Sequence, residues 1–257
     1  MSRNFELLQQ AGQESLLAAA ASSVEPAPFS SASSAPVETV ASILPEMDEY
    51  SREQVSKLVR HLFLMPGGAR AVVLAGVEQG NGGSWMAVHC ARVLAAQVSG
   101  SVCVVDGNLR TPSLHQYFSV QNHDHGFSDA IREPGPLHSY ARQVLGVRNL
   151  WLMSCGSLAG QGEQALLPSQ ALRSRITELR AAFDYLVIDA PPLSLCGDAA
   201  ALGQVTDGVA LVIAESDTHK ERARHAVQEL AKASVRVLGA VLNKRTFPIP
   251  QKIYDRL

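Results

Sequence analysis

No stretch of the chain reaches the roughly 18 to 20 uninterrupted apolar residues that a membrane span requires, and no secretory apolar region opens it. Any membrane association is therefore expected to come through a partner. An excess of one charge is lacking too. The 22 basic and 24 acidic residues leave a formal charge of −2, so the sequence has no basic footprint of the kind nucleic acid needs, and no such partner is expected. Cysteine is sparse. Cys90, Cys103, Cys155 and Cys196 show no Cys-x-x-Cys spacing, which argues against a disulfide frame or a zinc site and predicts reduced thiols in a cytoplasmic protein. What remains, 46% hydrophobic and 18% charged residues over a length of 257, suits one α/β domain with an appendage.

The appendage is expected over residues 1–47. Residues 2–20 set Phe5, Leu8, Leu16 and Leu17 roughly on one side at helical spacing, predicting a short amphipathic helix. Residues 21–46 are rich in Ser, Ala and Pro without periodicity, as in a flexible linker with a reach of roughly 30 Å or a disordered tail.

Residues 48–257 alternate between two patterns. A helix near 49–64 precedes the strand AVVLA at 71–75, a helix from Ser84, and the strand SVCVVD ending at Asp106. The strand NLWLMS, a helix near 168–182, the strand YLVID ending at Asp189, the strand GVALVIA, a helix near 218–233 and the strand VLGAVLN follow. Continuous apolar strands between amphipathic helices predict an α/β three-layer sandwich with a mainly parallel central sheet, whose ligands sit beyond the carboxyl ends of the strands.

Three strands end in residues a nucleotide site would use. After AVVLA comes GVEQGNGGSW, residues 76–85, where a strand, a glycine-rich turn and a helix start form a cradle for phosphate. Backbone amides of Gly80, Asn81, Gly82, Gly83, Ser84 and Trp85 would wrap the anion. Asp106 and Asp189 close two further strands, and with the Ser84 hydroxyl they are candidate magnesium ligands. One aspartate before a turn has little specificity, but the three features together point to a nucleotide.

These stretches carry a resemblance. VVDGNLRTPSLHQYF, GFSDAI, FDYLVIDAPPLSLCGDA and VLGAVLNK, in that order and spacing, resemble motifs of the bacterial tyrosine kinases of capsule and exopolysaccharide synthesis. More distantly the chain is similar to the MinD/ParA group of deviant P-loop ATPases. The resemblance covers residues 50–245. It implies a P-loop NTPase-like fold, ATP and magnesium as cofactors, and a membrane polysaccharide co-polymerase of the Wzz type as partner. The protein would then sit in the cytoplasm at the inner face of the membrane, with self-association possible in principle. Asn243 matches the residue that reads adenine in that superfamily, and Asp198 the aspartate after the Pro-Pro turn, although helix capping is an equal alternative for Asp198.

The departures from the family pattern are chemical. Where the family's loop reads Pro-Gly-Glu-Gly-Lys-Ser-Thr, Gly83 stands at the phosphate lysine and Trp85 at the small hydroxyl residue; Glu78 occupies the place of the second, MinD-type lysine. The Asp-x-Asp of the second motif is Asp106 and Asn108, and an amide can neither compensate magnesium nor accept a tyrosine proton. Trp85 either packs into the core or closes the pocket. The tyrosine-rich tail is reduced to Tyr254, and the Glu-x-x-Arg-x-x-Arg oligomerisation helix to Gln54, Lys57 and Arg60, so a helix packed on its own sheet is expected there. Losing one charge-assisted contact costs roughly 1.5 to 3 kcal/mol of binding, and losing a preorganised donor roughly 10² to 10³ in rate. The expected outcome is a degenerate kinase-like scaffold or regulator that binds nucleotide weakly. An active kinase with Arg110 as substitute cation, and a MinD/ParA-like positioning ATPase, are the alternatives. His115, His123, Asp124 and His125 are expected to be a solvated loop, not a metal site.

Overall fold

The computed structural model describes residues 39–40 (backbone only), 47–118, 120, 125–133, 135–157, 169–215 and 220–244. The predicted N-terminal helix, most of the linker, His123, Asp124 and Tyr254 lie outside them.

The described residues form one eight-stranded sheet in the order β1-β4-β5-β3-β6-β2-β7-β8. The strands are β1 (Thr39–Val40), β2 (Ala71–Gly76), β3 (Val102–Asp106), β4 (Arg142–Val144), β5 (Leu150–Met153), β6 (Tyr185–Ala190), β7 (Gly208–Ala214) and β8 (Val237–Asn243). All pairs are parallel except β4 with β5. The predicted α/β sandwich is therefore present. Two short strands have no counterpart in the sequence reading. β1 falls in the segment read as linker and pairs with β4, and β4 turns back on β5 through Gly146 at φ 83.

Among the described residues six helices cover the sheet: α1 (Glu49–Val59), α2 (Gly83–Gln97), α3 (Phe127–Arg132), α4 (Gln170–Ala182), α5 (Asp198–Gly203) and α6 (Lys220–Lys232). β-branched runs buried on both faces make the central strands two-sided. Along β2, Val72 and Leu74 face a core built with Val55 and Val59 of α1 and Met86 to Ala95 of α2. Ala71, Val73 and Ala75 face the opposite core, with Phe127 of α3, Leu172 and Ile176 of α4, Leu202 of α5 and Leu230 of α6.

α1 starts where Asp48 accepts from the Ser51 amide at 2.8 Å, satisfying one of its free donors. It runs into a π turn over Arg60–Leu64, closed by the Met65 amide on the Arg60 carbonyl at 3.0 Å. Its buried Val55 and Val59 pack on the protein's own sheet, and Gln54, Lys57 and Arg60 are exposed.

Arg175 ties α4 to the loop after α3. It is buried, and donates to the carbonyls of Gly135 at 3.0 Å and Glu133 at 2.7 Å and to that of Ala130. Asn149, before β5, donates to the carbonyls of Ala95, Val98 and Gly100, each at 3.0 Å, and so closes the end of α2.

Candidate nucleotide site

The sheet order puts β6 between β3 and β2, so the loop after β2 and the aspartates ending β3 and β6 meet at one edge. Asp106 and Asp189 are register partners across β3 and β6, and Leu74 of β2 stands opposite Asp189 on the other side. Gly107 allows this closeness. A Cβ there would lie 2.8 Å from the Asp189 carbonyl, which accepts the Gly107 amide at 2.9 Å.

The loop turns through two left-handed glycines, Gly80 at φ 85 and Gly82 at φ 89. Gly82 is also the N-cap of α2 and offers no side-chain acceptor. The first intrahelical bond runs from the Met86 amide to the Gly82 carbonyl at 3.0 Å, which leaves the amides of Gly83, Ser84 and Trp85 as unpaired helix-start donors. They border a cavity of about 480 Å3, lined by Gly80 to Trp85 with Asn108, Thr111, Gln116, Tyr117 and Lys244 among the other walls. Backbone donors and the positive helix end favour an anion here.

Beside that cradle the carboxylates are at odds with their surroundings. Asp106 is fully buried and accepts from the amides of Asn108 at 3.3 Å, Ser113 at 3.2 Å and Leu114 at 3.0 Å. Burial nevertheless outweighs these bonds and pushes its carboxyl up to about 7. Asp189 is also fully buried, and neither carboxylate oxygen makes a well-formed hydrogen bond, although the Ser84 hydroxyl and the Ala190 amide are near enough to pull it slightly down. Burial first, and then the charge of Asp106, raise it well above the usual carboxylate range. Buried polar groups are nearly always paired, so an orphaned carboxylate facing a second one marks a place for a cation. The oxygens of Asp189, Asp106 and the Ser84 hydroxyl fit the all-oxygen ligand set of magnesium. A cation there would offset the paired negative charge and shield a phosphate.

The other sequence candidates are placed as follows. Gly83 starts α2, and a Cβ on it would lie 3.8 Å from Asp189 Oδ1 and 3.1 Å from the Gly76 amide nitrogen. Asn108 accepts from the Thr111 amide at 3.1 Å and donates to its hydroxyl at 3.1 Å, so it serves the turn after β3. Trp85 touches both the core and the cavity. It lines the cavity, leans on the buried core beside α1, and stacks against His89 with ring centroids 4.1 Å apart. His89 is itself buried with both ring nitrogens unpartnered, and burial lowers it to about 4, so it stays neutral.

Three assignments change. Arg110 is not among the residues lining the cavity, and its Nε donates to Asp198 Oδ2 at 2.7 Å. Asp198 is the first residue of α5 and not its cap, which is Gly197. Asn243 does not line the cavity either. Its amide donates to the Asn81 carbonyl at 2.9 Å, and a Cβ on Gly82 would lie 2.3 Å from that same nitrogen. In this fold the Asn243 side chain braces the loop. Glu78, at the second lysine position, pairs with Arg222 of α6. Among the described residues no three His, Cys, Asp or Glu side chains group as a metal site, and His125 lies by Tyr140. Lys244 and Tyr117 fall inside two of the motif stretches without a role of their own there, and Arg222 carries no sequence signal.

No family model matches the chain. Curated relatives do. The tyrosine-protein kinase YwqD of Bacillus subtilis is 30% identical over 174 residues, 68% of this chain and 72% of the relative. The succinoglycan biosynthesis transport protein ExoP of Rhizobium meliloti is 27% identical over 194 residues, 74% of this chain but only 24% of that longer protein. Among solved structures, the chimerical protein CapA2B2 superposes with a TM-score of 0.69 at 21% identity, over 76% of this chain and 85% of its own. A plasmid partition protein of Borrelia burgdorferi bound to AMPPNP gives a TM-score of 0.55 at 17% identity, over 73% and 81%. At such identities the superpositions show the fold alone, a P-loop NTPase-like one. With the sequence relationship to YwqD added, the chain belongs to the family of bacterial tyrosine-protein kinases.

Proposed function

We propose that this protein is a degenerate member of its family, one that binds a nucleoside triphosphate with magnesium weakly and does not transfer the phosphoryl group. The reading is carried by one observation. A neutral Gly83 stands where the phosphate lysine belongs, beside an aspartate pair that keeps the features of a cation site. Backbone amides can hold a ground-state anion. They do not replace the charge a transferring phosphoryl group requires, and Asn108 cannot accept a proton from a tyrosine. The occupation of Arg110 by Asp198 also counts against the active-kinase alternative.

A protein that binds without turnover acts through what its bound state touches. We infer a regulatory or scaffold role in exopolysaccharide or capsule synthesis or export, at the inner face of the membrane, with a membrane co-polymerase subunit as partner. The motif order and the relationship to ExoP support that setting. No helix among the described residues is long and apolar enough to cross a membrane, which agrees with attachment through a partner.

Titration of the full chain with a fluorescent ATP analogue and magnesium tests the reading. Binding near or above 0.1 mM is expected on the order-of-magnitude losses above, weakened further by Asp189→Ala and without hydrolysis. Steady hydrolysis of bound ATP that disappears in Asp189→Ala would return the protein to the active kinases.

A further inference from the structure

A polyphosphate needs a counter-charge, and three positions that could supply one do not. Gly83 is neutral, Glu78 is acidic and paired with Arg222, and Arg110 is held by Asp198. Among the described residues lining the cavity there is one cation, Lys244. It follows the last residue of β8 and is exposed. It forms no ion pair with any described residue.

Two features fix Lys244 against the loop. Its neighbour Asn243 is bonded to the Asn81 carbonyl at 2.9 Å, which ties the end of β8 to the phosphate cradle. Its own backbone stands at φ 54, a left-handed conformation that lysine rarely adopts and that tends to persist where a site needs it. The same cavity is bordered by Gly83, Ser84 and Trp85, whose amides begin α2, and a Cβ built on Gly83 would lie 3.8 Å from Oδ1 of the orphaned, fully buried Asp189. The donors alone favour an anion, and the orphaned carboxylate favours a cation travelling with it.

We propose that Lys244 is the phosphate-facing cation of this site, supplying from the end of β8 the charge that the glycine loop no longer carries. This rests on the nucleotide reading of the cavity and narrows it: the ligand is bound mainly through its polyphosphate, clamped between the loop amides and the Lys244 ammonium. A flexible four-carbon stem makes that ammonium a point charge, which suits it to hold an anion more than to shape a transition state.

Calorimetric titration of the full chain with magnesium ATP, inorganic triphosphate and adenosine tests the assignment, in the parent, Lys244→Asn and Lys244→Arg. Asn tolerates the left-handed backbone, so folding is not at stake. Lys244→Asn is expected to weaken ATP and triphosphate about tenfold, leave adenosine unchanged and flatten the salt dependence, while Lys244→Arg restores most of the affinity. Equal ATP affinity in the parent and Lys244→Asn overturns the assignment, as does an equal loss for adenosine. A parent that binds neither ATP nor triphosphate overturns the nucleotide reading itself, and the assignment with it.

Discussion

Replacing Asp189 with asparagine should make the ligand-free protein more stable, although it removes a central residue of the site. Both carboxylate oxygens of Asp189 are buried without a well-formed hydrogen bond beside Asp106. In the unfolded chain the group ionises near 3.8, whereas in the fold it holds its proton to much higher pH. A raised carboxyl means that the folded state binds more protons than the unfolded one above pH 4, so stability falls as pH rises from about 4 upward. Each pH unit over which the group stays protonated in the fold but ionised in the unfolded chain costs about 1.4 kcal/mol. Asparagine escapes the titration, and its poorly paired amide costs no more than the unpaired protonated carboxyl it replaces. Tm should therefore rise at pH 7.5, by about 2 to 4 °C for each kcal/mol recovered, and change by almost nothing at pH 4. Differential scanning calorimetry without divalent ions, at both pH values, measures this. An unchanged or lower Tm at pH 7.5, or a shift of equal size at pH 4, would refute the reasoning.

Other outcomes follow from the same geometry. Gly82→Ala should lower Tm by about 5 °C or more, because its Cβ meets Asn243 Nδ2 at 2.3 Å and its φ of 89 suits glycine; urea titration gives the free energy. Arg175→Ala should cost about 3 kcal/mol by leaving several loop carbonyls without their donor, whereas Arg173→Ala, on the exposed face of α4, should cost under about 0.5 kcal/mol. Gly83→Lys combined with Asn108→Asp should give slow ATP hydrolysis that the parent lacks, since the lysine Cβ needs only a small shift from the Gly76 amide at 3.1 Å. A phosphate-release assay decides that case.

The sheet was legible because its strands are short apolar runs with β-branched residues, and their ends are marked by Asp106, Asp189 and the glycines at 80, 82 and 83. The register that sets Asp106 against Asp189 follows from such strands lying side by side. The rest was hidden for a physical reason. Arg110 and Asp198 are 88 residues apart, Glu78 and Arg222 are 144 apart, and Asn81 and Asn243 are 162 apart. Polar pairs of that separation leave no periodic trace in a sequence, and each decides whether a side chain faces the ligand or a neighbour. β4, three residues long, is too short for alternation to register, and the left-handed turn at Lys244 has no glycine to announce it.

Phosphorylation bears most directly on the central claim. Full-length protein and the Bacillus relative, incubated side by side with magnesium and ATP labelled at the terminal phosphate, should part completely, with radioactive tyrosine in the relative and none here. Labelling of a tyrosine in this chain at a comparable rate, abolished by Asp189→Ala, would contradict the account.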